Sequence, residues 1–226
     1  MQEFLERIIP NVMSKLPELY ESIGQTLVMV ARAGVISFAL GLLFGIIVTV
    51  TKRDGILQNL VVYQVLDKLV NFFRSIPFII LLAALVPLTR LIVGTAIGVK
   101  GAIIPLIFGT VPFFTRQIES ALAEVDYGLI EAAQSMGSGP IGIIFRIYLR
   151  ESIGAITRAT TITAISLVGL TAMAGAVGAG GLGDFAIRYG HGRNQIDVTY
   201  VTVIILVLFI NLIQAVGTLV VKKTKH

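Results

Sequence analysis

Between Ile118 and Gly154 the chain reads IESALAEVDYGLIEAAQSMGSGPIGIIFRIYLRESIG, a polar, charge-bearing stretch whose pattern is more ordered than a linker requires. Asp126 stands where an N-cap belongs, because its carboxylate can accept a free amide of a helix that starts at Tyr127. Gly137 suits the left-handed position that ends such a helix, and Pro140, with its fixed φ and missing N–H, suits the first turn of the next. The pattern therefore predicts a short helix, a bend and a second helix. At 1.5 Å per residue the first piece is about 15 Å long, too short to be stable alone, so it needs a surface to pack against. Its small face, Ala132 and Ala133 beside Glu131, would let another backbone approach closely.

Outward from this segment the chain turns apolar on both sides. Ala33–Thr51, Ala159–Gly183 and Val198–Val221 carry no charge, and two of them stop at basic pairs, Lys52-Arg53 and Lys222-Lys223. Ser75–Thr89 and Gly101–Thr115 are each short of the ~20 apolar residues that cross a bilayer. Extended toward a tight turn near Leu91 or Gly94 they complete five spans, about 27–51, 70–90, 92–115, 158–182 and 198–221. Residues 116–157 form the loop quoted above. Composition agrees: 55% of the 226 residues are apolar and 14% are charged, against about 25% charged in soluble domains. With a mean hydropathy of +0.89, the solvent for most of this surface is lipid. The fold class expected is all-α integral membrane, about five transmembrane helices with short cytoplasmic helices between two of them.

Charge sets the orientation, since cytoplasmic flanks collect Lys and Arg. With the N-terminus outside, the inner flanks hold Lys52, Arg53, Lys68, Arg74, Arg116, Arg146, Arg150, Lys222, Lys223 and Lys225, twice the number on the outer flanks. Arg32, Arg90 and Arg158 lie near helix ends, where long side chains snorkel. The net charge of +5 is thus a topology address rather than a nucleic-acid footprint. Residues 1–22, polar and acidic with Pro10 and Pro17, read as an extracytoplasmic surface segment, and 222–226 as a basic cytoplasmic tail. Ile56–Phe73 carries a helical apolar stripe opposite Gln58, Asn59, Gln64 and Lys68, the pattern of a cytoplasmic interfacial helix leading into the second span.

Several chemistries are missing from the sequence. It has no Cys and two His, so neither a disulfide frame nor a thiolate or histidine metal centre is expected. No GxxxxGK[ST] occurs, so energy from nucleotide has to come through a partner. The uncharged spans hold no Asp or Glu of the kind that relays protons in pumps, and no predicted span pairs a nucleophile with a base. An ATP-independent channel or carrier and a membrane enzyme remain the competing classes.

One pattern is specific. Glu131-Ala132-Ala133, three residues, Gly137, nine residues, then Ile147-x-Leu149 resembles the E-A-A signature of binding-protein-dependent ABC importer permeases. The family pattern continues with Pro after the Leu, where this chain has Arg150. FFRSIPFIILLAALVPLTRLIVGTAIG (72–98) and AMAGAVGAGGLGDFAIRYG (172–190) are similar to the methionine-uptake permeases of that class. The resemblance implies a type I importer permease fold in a bacterial inner or plasma membrane. It also implies a second copy of this chain, a cytoplasmic ABC ATPase dimer that holds ATP and Mg, and an extracytoplasmic methionine-binding protein. No cofactor would be bound by this chain. Glu131, Ala132, Ala133, Gly137, Ile147 and Leu149 would be the ATPase-coupling residues. A permease for another amino acid or small polar solute remains the nearest alternative.

For the pathway, Leu170–Gly178 is dominated by small side chains with Met173 as a large, adaptable exception. In a homodimer two such Met side chains would close a pore, the gate role that the resemblance favours over core filling. Arg32 and Arg90 are candidates either for a substrate carboxylate or for a structural, snorkelling role. Gly178, Gly180, Gly181 and Gly183 read as a tight external turn, and His191 as a water-facing residue of the same loop. Glycines at 41/45 and 94/98 have the spacing of close helix packing, within one subunit or across a dimer seam.

Overall fold

A computed structural model describes residues 7–224, and they are helical nearly throughout. In chain order the elements are α1 (Pro10–Met13), α2 (Leu16–Thr51), α3 (Leu60–Ser75), α4 (Phe78–Ala84), α5 (Val86–Val93), α6 (Gly98–Ala123), α7 (Tyr127–Ser135), α8 (Pro140–Ile143) and α9 (Leu149–Glu151). They continue as α10 (Ile153–Ala174), α11 (Gly181–Phe185) and α12 (Ile196–Thr224), with π-helical turns at Ile144–Tyr148, Gly175–Ala179 and Ala186–His191. Four of the described helical segments are long and apolar enough to cross a membrane: Leu16–Thr51, Gly98–Ala123, Ile153–Ala179 and Ile196–Lys223. The most apolar stretch of the last is only 6% buried, which suits lipid and no aqueous surface. Hydroxyls inside these helices bond back to their own backbone, as Thr49 does to the Gly45 carbonyl and Thr202 to the Val198 carbonyl. Such bonds satisfy polar groups where no water can.

The span expected over 70–90 is not one helix. α3 ends at Ile76, whose extended backbone precedes Pro77, and the chain resumes as the short helices α4 and α5. Pro disfavours α geometry in the residue before it, and Ile76 is extended, so α3 ends at the Ile76–Pro77 step. Gly94, at φ +79°, ends α5, and the next helix starts at Gly98 rather than near residue 92. Gly94 and Gly98 both have positive φ with open space around them, so within the chain this pair belongs to a turn and not to a helix-packing contact. α2 begins eleven residues before the expected span, at Leu16, inside the segment read as extracytoplasmic. The first six residues of that segment, and residues 225 and 226 of the basic tail, lie outside the described residues.

By its internal contacts the chain divides into two units. The first comprises 1–35, 77–108 and 164–213. One of its cores gathers Met29, Ala33, Ala102, Leu106, Leu167 and Ala174, with Phe78 and Leu82 packed against it. Another gathers Val12, Leu19, Leu182, Phe185 and Val198. α1 is pinned there by Asp197, whose carboxylate accepts from the Asn11 backbone N–H at 2.9 Å and from its amide side chain at 3.0 Å.

The second unit comprises 36–76, 109–163 and 214–226. Its core is Val50, Phe114, Ile118, Leu122, Ile130, Ala133, Ile143, Tyr148 and Ala159. Gly41 sits under Phe114 and Gly45 under Ile118, so a Cβ at either would collide at 2.7 and 2.5 Å. This resolves the 41/45 spacing as packing within the chain. Both contacts advance one turn together, so α2 and α6 run in the same direction. Ser37 and Thr110, one turn earlier on each helix, are buried polar residues whose hydroxyls find no partner. Near the start of α10, Ser152 donates to the Ala121 carbonyl at 3.2 Å, and Thr161 packs on Gly217 of α12. α10 thus begins where α6 and α12 end.

Candidate functional site

The loop after α6 is built from local signals into a rigid projection of the second unit. Asp126 Oδ1 accepts the Gly128 N–H at 2.8 Å and opens α7 at Tyr127, as the sequence predicts. At the other end Gly137, at φ +79°, donates its N–H to the Gln134 carbonyl at 2.9 Å, and Ser138 donates to Ala133 at 3.0 Å. These are the paired bonds of a Schellman ending, which satisfy carbonyls that a helix otherwise leaves open. Gly139 is extended, and Pro140 occupies the first turn of α8. The helix continues through the π turn and α9 to Ser152, where it breaks before α10.

Packing gives the loop two faces. Ile130, Ala133, Ile143 and Tyr148 are buried in the core of the unit, while Ile147 and Leu149 are half-buried against it. Burial, reinforced by Tyr127, raises the Tyr148 phenol above its ordinary value. On the outer face Tyr127, Leu129, Met136, Ile141 and Phe145 are exposed, Met136 by 78% and Ile141 by 73%. Glu131 and Ala132 are exposed as well, and Glu131 has no ion pair among the described residues. The small face expected of Ala132 and Ala133 is divided: Ala133 turns into the chain's own core and Ala132 turns out. Exposed large apolar side chains flanking a lone carboxylate, on an element braced from behind, form a surface suited to another protein rather than to chemistry.

A second brace was missed by sequence reasoning, which took Arg116 only as a topology charge. Its guanidinium pairs with Asp67 of α3 and with Glu119 at 2.6 Å, and also donates to the Asn71 side-chain oxygen at 3.0 Å. The signal was available: Asp67 and Asn71, four residues apart, lie on one face of α3. That face turns toward the protein, whereas Val61, Val65, Leu69 and Phe72 are exposed. α3 therefore wears its apolar stripe outward, the reverse of a helix lying on a soluble core.

A helical membrane chain with this braced loop matches the family of binding-protein-dependent transport system inner membrane components over residues 25–226. The chain belongs to that family. It is 50% identical over 202 residues to a probable D-methionine transport system permease protein MetI of Vibrio cholerae serotype O1, covering 89% of this chain and 90% of that one. A probable D-methionine permease of Pasteurella multocida is 42% identical, with 93% and 99% covered. Among solved structures, a chain of the MetNI methionine ABC transporter in an inward-facing conformation superposes with a TM-score of 0.91 at 41% identity, covering 94% of this chain and 99% of that one. An amino acid ABC transporter at 16% identity, TM-score 0.78, shares the fold. The chain is thus a multi-pass inner-membrane permease, a transporter subunit and not an enzyme.

In the permease the pathway candidates of 170–181 belong to the first unit. Met173 is 43% exposed on the last turn of α10, just before the helix breaks. Val177 and Gly178 leave helical geometry, Val177 is 49% exposed, and Gly180 and Gly181 continue the turn at positive φ. That turn is clamped by α2: Gln25 Oε1 accepts the Gly181 N–H at 2.6 Å and Thr26 Oγ1 the Leu182 N–H at 2.9 Å. Sequence reasoning missed Gln25 and Thr26, which carry no pattern of their own. Arg32 and Arg90 are exposed, and their side chains have no ion pair or hydrogen bond among the described residues. His191 is exposed, and no group of three His, Cys, Asp or Glu among the described residues is placed to hold a metal.

Proposed function

We propose that the chain is the translocating subunit of an ATP-driven importer that brings methionine, as both isomers, into the cytoplasm by alternating access. The observation that carries the substrate is the match, along nearly the whole length of both chains, to a subunit of a methionine ABC transporter; the permease relatives named for D-methionine support it.

The working unit is two copies of this permease on a twofold axis, two cytoplasmic ATPase subunits that hold ATP and Mg, and an extracytoplasmic binding protein. The exposed face of 127–145 sits on the ATPase, with Glu131 supplying a polar or ionic contact and Gly137 fixing the bend. Ala133, Ile147 and Leu149 act from behind by packing the loop onto its own core, so that a push at Met136 or Ile141 moves the start of α10 as a lever. Met173 closes the pathway at the dimer axis and yields without breaking hydrogen bonds. Arg32 and Arg90, exposed and unpaired, serve a substrate carboxylate or the bilayer interface.

The helix directions support a count of five crossings. α2 and α6 point the same way, so 52–97 has to return across the bilayer, and α4 and α5 are the apolar pieces available for that return. α3, with its apolar stripe outward, enters the bilayer with them rather than lying on its surface. The described residues of the second unit carry ten of the chain's 18 Lys and Arg, which supports that side as cytoplasmic and the N-terminus as outside.

The test is purification from its native membrane. An ATPase should co-purify in stoichiometric amount, and uptake into vesicles carrying the complex and the binding protein should be competed by L- and D-methionine and not by unrelated amino acids. Competition by another amino acid alone would overturn the substrate.

A further inference from the structure

Beyond Met173 the chain passes through Gly178, Gly180 and Gly181, all at positive φ, and doubles back on itself: a Cβ at Gly175 would lie 2.6 Å from the Asp184 amide nitrogen and 2.8 Å from the Gly180 carbonyl oxygen. Two buried amides leave this turn, those of Gly181 and Leu182, and both are accepted by side chains of α2, 156 residues away: Gln25 Oε1 at 2.6 Å and Thr26 Oγ1 at 2.9 Å. Each acceptor is itself held. Gln25 Nε2 donates to the Glu21 carboxylate at 2.8 Å, which leaves the amide oxygen for Gly181. The buried Thr26 hydroxyl donates to the Ser22 carbonyl at 3.0 Å, which leaves its lone pairs for Leu182. The approach is as close as glycine allows. A Cβ at Gly180 would strike Gln25 Oε1, and one at Gly181 would come within 2.7 Å of Thr26 Oγ1 and 2.8 Å of the Met29 side chain. Met29 is fully buried in the core of the unit, so the surface that receives the turn is fixed from behind. The stretch that the clamp holds is the one that exposes Met173 and Val177.

We propose that Gln25 and Thr26 are positioning residues for transport: their two bonds hold the turn that carries Met173 and Val177, so that the gate keeps its place only while α2 accepts the Gly181 and Leu182 amides. The inference rests on the gate role given to Met173 and extends it to residues that never touch the pathway. A buried amide that loses its acceptor is costly enough to displace the segment that bears it. Glycines at positive φ add little preference of their own to resist that displacement. A movement of α2 at Gln25 is thereby carried to Met173 through the backbone of the turn.

The experiment is passive efflux of labelled L-methionine from vesicles holding the permease with its ATPase and no ATP, read alongside hydrogen exchange at the Gly181 and Leu182 amides. Thr26→Val keeps the shape of the side chain and loses the acceptor; Gln25→Met does the same at the other bond. Each should speed exchange at the amide it served about tenfold and raise efflux severalfold over wild type. Thr26→Ser keeps the hydroxyl and should return both readouts to wild type. Thr202→Val deletes a buried hydroxyl that bonds back to its own helix, so its efflux should match wild type. Unchanged exchange in Thr26→Val and Gln25→Met would overturn the proposal, because the turn would then hold without the clamp. Faster exchange with wild-type efflux, while Met173→Ala leaks, would also overturn it and leave the gate role of Met173 standing. Wild-type efflux from all three, Met173→Ala included, would remove that gate role and this inference with it. Equal efflux from Thr202→Val would overturn it too, since loosening of the helices in general would then be the cause.

Discussion

Replacing Gly137 with Val isolates what the bend of the loop contributes. A Cβ built at Gly137 meets nothing within 4 Å, so the change adds no collision and removes no packing. What it changes is the backbone: φ is +79°, a conformation that costs an L-residue about 1–2 kcal/mol and a β-branched one more. If the chain relaxes instead, the amide bonds at 2.9 and 3.0 Å from Gly137 and Ser138 are lost, each with a net value of about 0.5–1.5 kcal/mol. Either route puts the penalty near 1–3 kcal/mol, a factor of roughly 5 or more in the population of the intact bend. Hydrogen exchange on the purified complex reads this directly: the amide of Ser138 should exchange faster by about that factor, and more ATP should be hydrolysed for each substrate molecule imported. Gly137→Asn is the control, since Asn tolerates left-handed geometry, and it should stay near wild type in both assays. If Val and Asn behave alike, the left-handed residue is not what fixes the loop, and the lever account fails.

Other substitutions probe the packing behind the loop and the pathway. Gly45→Leu forces a side chain onto Ile118, 2.5 Å from the Cβ position, and onto the Thr115 carbonyl at 3.1 Å. It should lower stability by about 1–3 kcal/mol and depress the melting temperature in detergent, whereas Gly24→Ala, inside α2 with open space around it, should leave it unchanged or raise it slightly. Asp67→Asn strips one carboxylate from Arg116 and should cost about 1–3 kcal/mol; equal loss of stability when Arg116→Met is already present would mean that the pair is not the source. Met173→Ala should raise passive methionine leak through vesicles lacking ATP, and wild-type leak would reduce Met173 to packing.

Much of the loop was legible because its signals are local. Asp126, Gly137 and Pro140 act through backbone rules that hold within a few residues, and each sits where its chemistry requires. The apolar runs after Ala33, Ala159 and Val198 were equally plain, since their length and lack of charge leave lipid as the solvent. The region from 52 to 97 was harder. Its breaks at Pro77 and Gly94 were visible as residues, yet hydropathy averages over 20 positions and smooths a pair of 7- and 8-residue helices into one span. The amphipathic stripe of α3 was legible as a stripe, but the partner of its polar face was not. In lipid the apolar side faces out, and only the Asp67–Arg116 contact, 49 residues apart in sequence, reveals which side is in. The split of Ala132 from Ala133 and the Gln25–Gly181 clamp likewise depend on tertiary neighbours that no window along the chain contains.

The measurement that tests the central claim most directly is the initial rate of methionine uptake into proteoliposomes holding the permease, its ATPase and the binding protein, with ATP inside the site of hydrolysis. A hydrolysis-dead ATPase that still binds nucleotide should abolish sustained uptake while leaving the complex assembled. Undiminished uptake with that ATPase would contradict the account, because the chain would then move its substrate without the work that the loop is built to receive.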